Sequence, residues 1–195
     1  MTYIVLVSFD MNPEVILLWK QTWDKLKKEH KDLKVTVFTI PVFQEREINN
    51  VFRNKDFREW YKERKKYVEV QQQGYSNKKK NECTRFSTSQ ERLIKSGFRK
   101  LYNYMPDNTF IFRPPLDRMN NYTISILKSI GFSACLRHKE IIFLKSTNRE
   151  IEDYELIRTS INMKQRNSDD IQQIYKKLNE HLYSLEKKGY GYATV

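Results

Sequence analysis

Glycine is scarce, at five in 195 residues, and no Gly-rich phosphate loop is among them. A nucleotide site of that kind is therefore not expected. Histidine is scarcer still, with three. His30 lies at a Lys-rich helix end, His138 near a turn after a short strand, and His181 within the last helix. None has a second His, Cys or carboxylate at ligand spacing, so each reads as a surface or partly packed side chain. The two cysteines, Cys83 and Cys135, lack CxxC or Cys/His spacing and read as a loop thiol and a small core residue. There is no nucleophile elbow, no RNA-binding aromatic motif and no zinc-finger spacing. No apolar run approaches ~18 residues, which argues against a membrane span. The opening "MTYIVLVSFD" has no basic region and no small-residue cleavage site. It reads as a first strand, and the expected location is the cytoplasm.

What is present suits one folded domain over residues 1–195. Hydrophobic residues make up 39% and aromatics 13%, too many for a disordered chain. The net charge of +12 favours an anionic partner: nucleic acid, an acidic glycan or an acidic protein. A solvated Lys-rich surface explains the same number, because the lysines are spread along the whole chain.

Apolar runs alternate with helical patterns. Strands are expected at 3–9, 35–42, 67–73, 109–115, 133–146 (two short ones), 154–162 and 190–195. Helices are expected near 13–30, 46–64, 89–105, 122–132 and 168–188. Thr88 and Glu91 have capping-box spacing, Ile94, Phe98, Leu101 and Tyr102 form the apolar face of the helix at 89–105, and Gly131 and Gly189 sit where helices should stop. Strands separated by helices imply parallel pairing. The fold class is α/β, a distorted (β/α) barrel of about seven strands. Chemistry in such folds gathers at the C-terminal strand ends. Those ends carry Asp10, Pro41, Gln73 to Asn77, Arg113 to Asp117, and Thr159 to Asn162.

Asp10 at that position is either a general base or metal ligand, or a cap for the following helix. Arg113 either orients Asp10 or an anion, or closes a structural ion pair at the rim. The prolines after it fix the backbone beyond the strand.

The segments "LVSFDMN", "YVEVQQQGYSN", "ECTRF…QERLIKSGFRKL", "FIFRPP…NNYTISILKSIGFSA" and "LEKKGYGYATV" occur in the order found in polysaccharide deacetylases, the NodB-like carbohydrate esterases. The chain resembles that superfamily over nearly its whole length. The resemblance implies that Asp10 matches a catalytic base and that Met11 stands in place of a metal-binding Asp. It implies that Gly74, Tyr75 and Ser76 form the core of a second motif whose two His ligands are here Gln73 and Asn77. Arg113 and Pro115 match a third motif, with Leu116 in place of an aromatic residue. The late His of the family has no counterpart in "LIRTSINM". The expectation is a barrel without a metal cofactor that binds a glycan or a partner protein through Gln73, Tyr75, Asn77, Pro115 and Leu116. Two alternatives stay open. One is a metal-independent hydrolase of an amide using Asp10 and Arg113. The other is a basic nucleic-acid or acidic-protein binder using "NKKK" (77–80) and the Lys-rich stretch 25–34.

Overall fold

The computed structural model describes residues 4–11, 20–42, 53–76, 82–84, 88–105, 110–137, 140–144, 154–160 and 168–192. Side chains are described throughout these except over 4–11 and 154–160 and at Ser168.

The strands are β1 (Ile4–Met11), β2 (Val35–Thr39), β3 (Val68–Gln73), β4 (Ile111–Arg113), β5 (Ala134–Arg137), β6 (Glu140–Phe143), β7 (Tyr154–Ser160) and β8 (Gly191–Tyr192). The helices are α1 (Lys20–Glu29), α2 (Lys55–Arg64), α3 (Thr88–Tyr102), α4 (Asn121–Ile130) and α5 (Ser168–Lys187). A single 3₁₀ turn, Pro115–Asp117, follows β4. This is a mixed α/β fold whose element order matches the alternation of apolar patterns. The expected helix starts at 13–19 and 46–52 lie outside the described residues.

The sheet runs β6-β5-β4-β3-β2-β1-β7, with β8 added on β1. Every pairing is parallel except β5 with β6, which form an antiparallel hairpin. All-parallel pairing fails there because only two residues separate these strands, far fewer than a crossover needs. Among the described residues no ladder joins β6 to β7, so hydrogen bonding leaves the path open.

Register divides the sheet into two faces. Val35 pairs with Val68, Val37 with Val70, and Gln72 with Phe112, which pairs with Cys135. The apolar members of this row join Trp23, Leu26, Phe57, Trp60, Ile94 and Leu101 in the core beneath the helices. Gln72 is the polar exception. Its Nε2 donates to the Gly74 carbonyl in the turn after β3 at 2.8 Å and, more weakly, to that of Ile94 in α3. The opposite face carries Thr36, Phe38, Glu69, Gln71, Gln73 and Arg113, a largely polar set.

Local chemistry sets the helix ends. Asn54 caps α2, its Oδ1 accepting the Phe57 N–H, and Asn120 caps α4 through the Thr123 N–H. Gly131 ends α4 at φ +101, the left-handed conformation expected there. The α5 stripe Ile171, Tyr175, Leu178, Leu182 and Leu185 is buried as its spacing predicts.

Two expectations fail and one is refined. His30 is 1% exposed, neither a surface nor a partly packed side chain. Its Nδ1 meets Glu186 Oε1 at 2.8 Å and its Nε2 meets Asn179 Oδ1 at 2.7 Å, tying α1 to α5. Cys83 is a loop thiol as expected, in the turn at 82–84, but it is fully buried there against the start of α4. There its carbonyl accepts from the Asn120 N–H and the Thr123 hydroxyl. Tyr102, assigned by period to the apolar face of α3, is 48% exposed. Gly97 lies on the buried side with Ile94 and Leu101, where Gln72 and Pro41 approach too closely for a side chain.

Candidate functional site at the strand ends

The C-terminal ends of β3 and β4 form the best-described part of the mouth. Gln73 and Arg113 are paired in register, and the Gly74 N–H donates to the Arg113 carbonyl at 3.0 Å. Gly74 turns the chain at φ +53. A Cβ there would run into the Glu82 carboxylate and come within 2.6 Å of Pro115 Cγ. Glycine is required for that close approach as well as for the dihedral. Glu82, itself buried, accepts the Tyr75 N–H, and the Tyr75 carbonyl accepts the Val42 N–H at 3.1 Å. Ser76 continues this as an isolated parallel bridge to Val42.

Arg113 is 1% exposed, and its Nε donates to Asp117 Oδ1 at 3.2 Å. Its guanidinium also lies 5.8 Å from the Phe38 ring centroid. Of the two roles open to Arg113, the rim ion pair is the one with a described partner. A pair this buried repays its desolvation only in good geometry, and removing either member would strand a charge. The pair fixes the turn between its members. Leu116 and Asp117 both sit at positive φ, 54° and 55°. Such residues cost about 1–3 kcal/mol each and persist only where their surroundings hold them. Here Asp117 and Arg118 donate their N–H groups to the carbonyls of Pro114 and Pro115. The result holds Leu116, 54% exposed, over the strand ends.

Asp10 lies in register with Phe38 on one side and Ser160 on the other. By the ladder through Phe38 and Gln71 it shares the face of Gln73 and Arg113. It stands two strands and one pleat from Gln73, about 12 Å along the sheet. Met11 is in register with Thr39, on the other face by alternation. The side chains of Asp10 and Met11, and the whole of Asn77, fall outside the described residues. The structure thus brings together Gln73, Tyr75, Arg113, Pro115 and Leu116, and puts Asp10 on the same face of the same sheet end.

Two participants escaped the sequence reading. Asp117 had a usable signal, an acid four residues after an Arg across a Pro-Pro pair. Glu82 had none, because nothing local marks an acid in a Lys/Asn-rich loop as the partner of a distant turn.

No protein-family model matches the chain, and no curated protein matches it by sequence. Solved structures do match. The Xyl-CE4 domain of a multidomain xylanase from the hindgut metagenome of Trinervitermes trinervoides superposes with a TM-score of 0.65 at 14% identity, covering 100% of this chain and 87% of that one. A CE4 family pseudoenzyme from Bacillus anthracis gives 0.55 at 12% identity, covering 98% of this chain and 62% of that one. A mutant of that pseudoenzyme with restored enzymatic activity gives 0.56 at 12% identity, with 98% and 64% covered. The chain therefore spans somewhat under two thirds of the pseudoenzyme's length. At these identities the likeness concerns the fold, and it agrees with the motif order read from the sequence. The chain has a divergent form of the NodB-like fold of CE4 polysaccharide deacetylases.

Proposed function

We propose that this protein is a deacetylase-fold binding protein that has lost metal-dependent deacetylation and holds a glycan at the mouth lined by Gln73, Tyr75, Arg113, Pro115 and Leu116. The same reading takes the sheet as a distorted barrel of about seven strands. One observation carries it: an exposed, strained Leu116 held over the strand ends by the buried Arg113–Asp117 pair. A rigid rim lowers the entropy cost of binding. The amide of Gln73 supplies both a donor and an acceptor for sugar hydroxyls, and Leu116 supplies an apolar contact.

The residues at the family's metal positions do not fit a divalent cation. Zinc takes imidazole, thiolate or carboxylate donors, whereas Met11, Gln73 and Asn77 offer a thioether and two neutral amides. Among the described residues no three of His, Cys, Asp or Glu gather into a group able to hold a metal ion. Without a bound metal no water has its pKa lowered in that way, which supplies much of the catalysis in such hydrolases.

The test is titration of the purified protein with N-acetylated chito-oligosaccharides, read by calorimetry and by acetate release. Binding is expected without acetate release, and Leu116→Ala should weaken it without lowering the melting temperature. Stoichiometric zinc in the purified protein, or acetate release abolished by Asp10→Asn, overturns the reading. The combined variant Met11→Asp, Gln73→His, Asn77→His is expected to gain zinc binding.

A further inference from the structure

One face of α3 carries a groove of ≈ 560 Å³ bordered by Thr88, Glu91, Arg92, Lys95, Ser96, Arg99, Lys100 and Asn103. Four cations border it against one carboxylate, and that carboxylate, Glu91, is engaged by Lys95. Arg92, Lys95 and Arg99 follow i, i+3, i+7 spacing and form a row, with Lys100 on the opposite flank of the groove. From Arg92 to Arg99 the row is about 10 Å long, roughly three phosphates at about 3.4 Å each. Arg92 and Arg99 are exposed, and the Lys95 side chain is 43% exposed. The buried side of the same helix is fixed to the sheet by Gln90, Ile94, Gly97 and Leu101. The basic row is therefore presented on a rigid support.

An aromatic ring lies beside the C-terminal end of the groove, next to Asn103, which borders it. Tyr102 follows Arg99 by three residues, about 60° around the helix from it. One face of its ring stacks on Phe98, with centroids 6.0 Å apart and planes at 24°. Its edge meets Phe110 at 5.9 Å. With 48% of Tyr102 exposed, the ring is supported from below and open to solvent. Packed rings of this kind stack unpaired bases, and a basic groove beside them tracks the backbone. A duplex keeps its bases paired and has no use for the ring. An acidic peptide would use the cations but gain little from a flat ring.

We propose that this face of α3, with Arg92, Lys95 and Arg99 along it, Lys100 on its flank and Tyr102 beside its end, is a docking surface for single-stranded nucleic acid. The surface lies on the outside of a helix and uses no residue of the strand-end mouth, so the glycan reading can fail without affecting it.

The test is fluorescence anisotropy of a labelled 12-nucleotide single strand, DNA and RNA, with the full chain across 50–300 mM salt. Log affinity should fall steeply with log salt. Arg92→Gln with Arg99→Gln should reduce that slope by about 1.4, from about 0.7 per phosphate contact on single strands. Tyr102→Ala should weaken binding on the order of tenfold and leave the slope unchanged. Lys176→Gln with Lys177→Gln on the exposed side of α5 makes the same change in net charge and should leave binding intact. Equal loss from the α5 pair overturns the proposal, because net charge alone would then explain binding. So does equal competition by a duplex of the same sequence or by poly-glutamate, or no measurable binding at 50 mM salt. Circular dichroism of each variant separates loss of binding from loss of fold.

Discussion

Glu69 should make the protein less stable as pH rises through neutrality. It sits on β3 in register with Thr36, on the polar face of the sheet. Burial pushes its carboxyl up to about 8, and the hydrogen bond from Gln71 pulls the other way without prevailing. Its Oε2 is buried and meets no hydrogen-bond partner. In the unfolded chain the same group ionises near the ordinary 4.5. Between those two values the folded state holds a proton that the unfolded state has released, so stability must fall across that window and level off outside it. Linkage makes the loss about 1 kcal/mol at pH 5, about 3 at pH 7 and close to 5 at pH 9. Glu69→Gln keeps the shape and removes the ionisation. Its gain over the parent, read from urea midpoints, should grow by about 4 kcal/mol from pH 5 to pH 9. Parallel curves for the two proteins would refute the reasoning. They would point to a counter-charge, and Arg158 stands level with Glu69 through Ser8 and Thr36.

Three further outcomes follow from local geometry. Gly97→Ala on an exposed helix would gain about 1 kcal/mol. Here the new Cβ meets the Gln72 amide and, at 3.1 Å, Pro41 Cγ. Displacing that amide strands buried polar groups at about 1–3 kcal/mol, so thermal melts should show no gain and a net loss of up to about 2 kcal/mol. Leu116→Gly should leave stability equal or raise it by up to about 1 kcal/mol, since relief of the left-handed strain offsets the added chain entropy; a clear loss in the same melts would mean the turn is not strained. Burial pushes the Cys135 thiol up to about 12 and Cys83 higher still. Neither should react with iodoacetamide at pH 8 in the native state, and both should react in urea, as mass spectrometry will read.

The element order was legible because apolar period is a local property: strands show it over five residues and helices over ten. What stayed hidden depends on partners distant in sequence. His30 looked exposed because its neighbours are lysines, yet its two ring nitrogens are met by residues 149 and 156 positions away. Cys83 is the loop residue it looked like, but its burial was hidden because α4, which covers it, starts 38 residues later. Tyr102 had the period of the apolar face, yet it packs only on Phe98 and Phe110 among the described rings and stays 48% exposed. The three adjacent glutamines show the same limit within one motif. Gln71 accepts the Ile111 N–H at 2.8 Å, Gln72 pins α3 to the β3 turn, and Gln73 alone borders the mouth. Only Gln73 was singled out, by its place at the strand end and then by the resemblance.

That division of labour separates the residues that shape the mouth from those that border it. The contacts holding the mouth in shape are the Gly74–Glu82–Pro115 approach, the Arg113–Asp117 pair and the Gln72 amide. None of them runs through position 11, 73 or 77. Gln73 sits in register with Arg113, and none of these described supports uses its side chain. Were the metal itself the support, the apo turn would have to satisfy the Tyr75 N–H and carry two residues at positive φ unaided. Glu82 and the proline carbonyls already do that work. The described turn is thus held by protein contacts alone, and Glu82→Gln, which weakens the acceptor of the Tyr75 N–H, should loosen it more than Gln73→Ala does, as thermal melts would read.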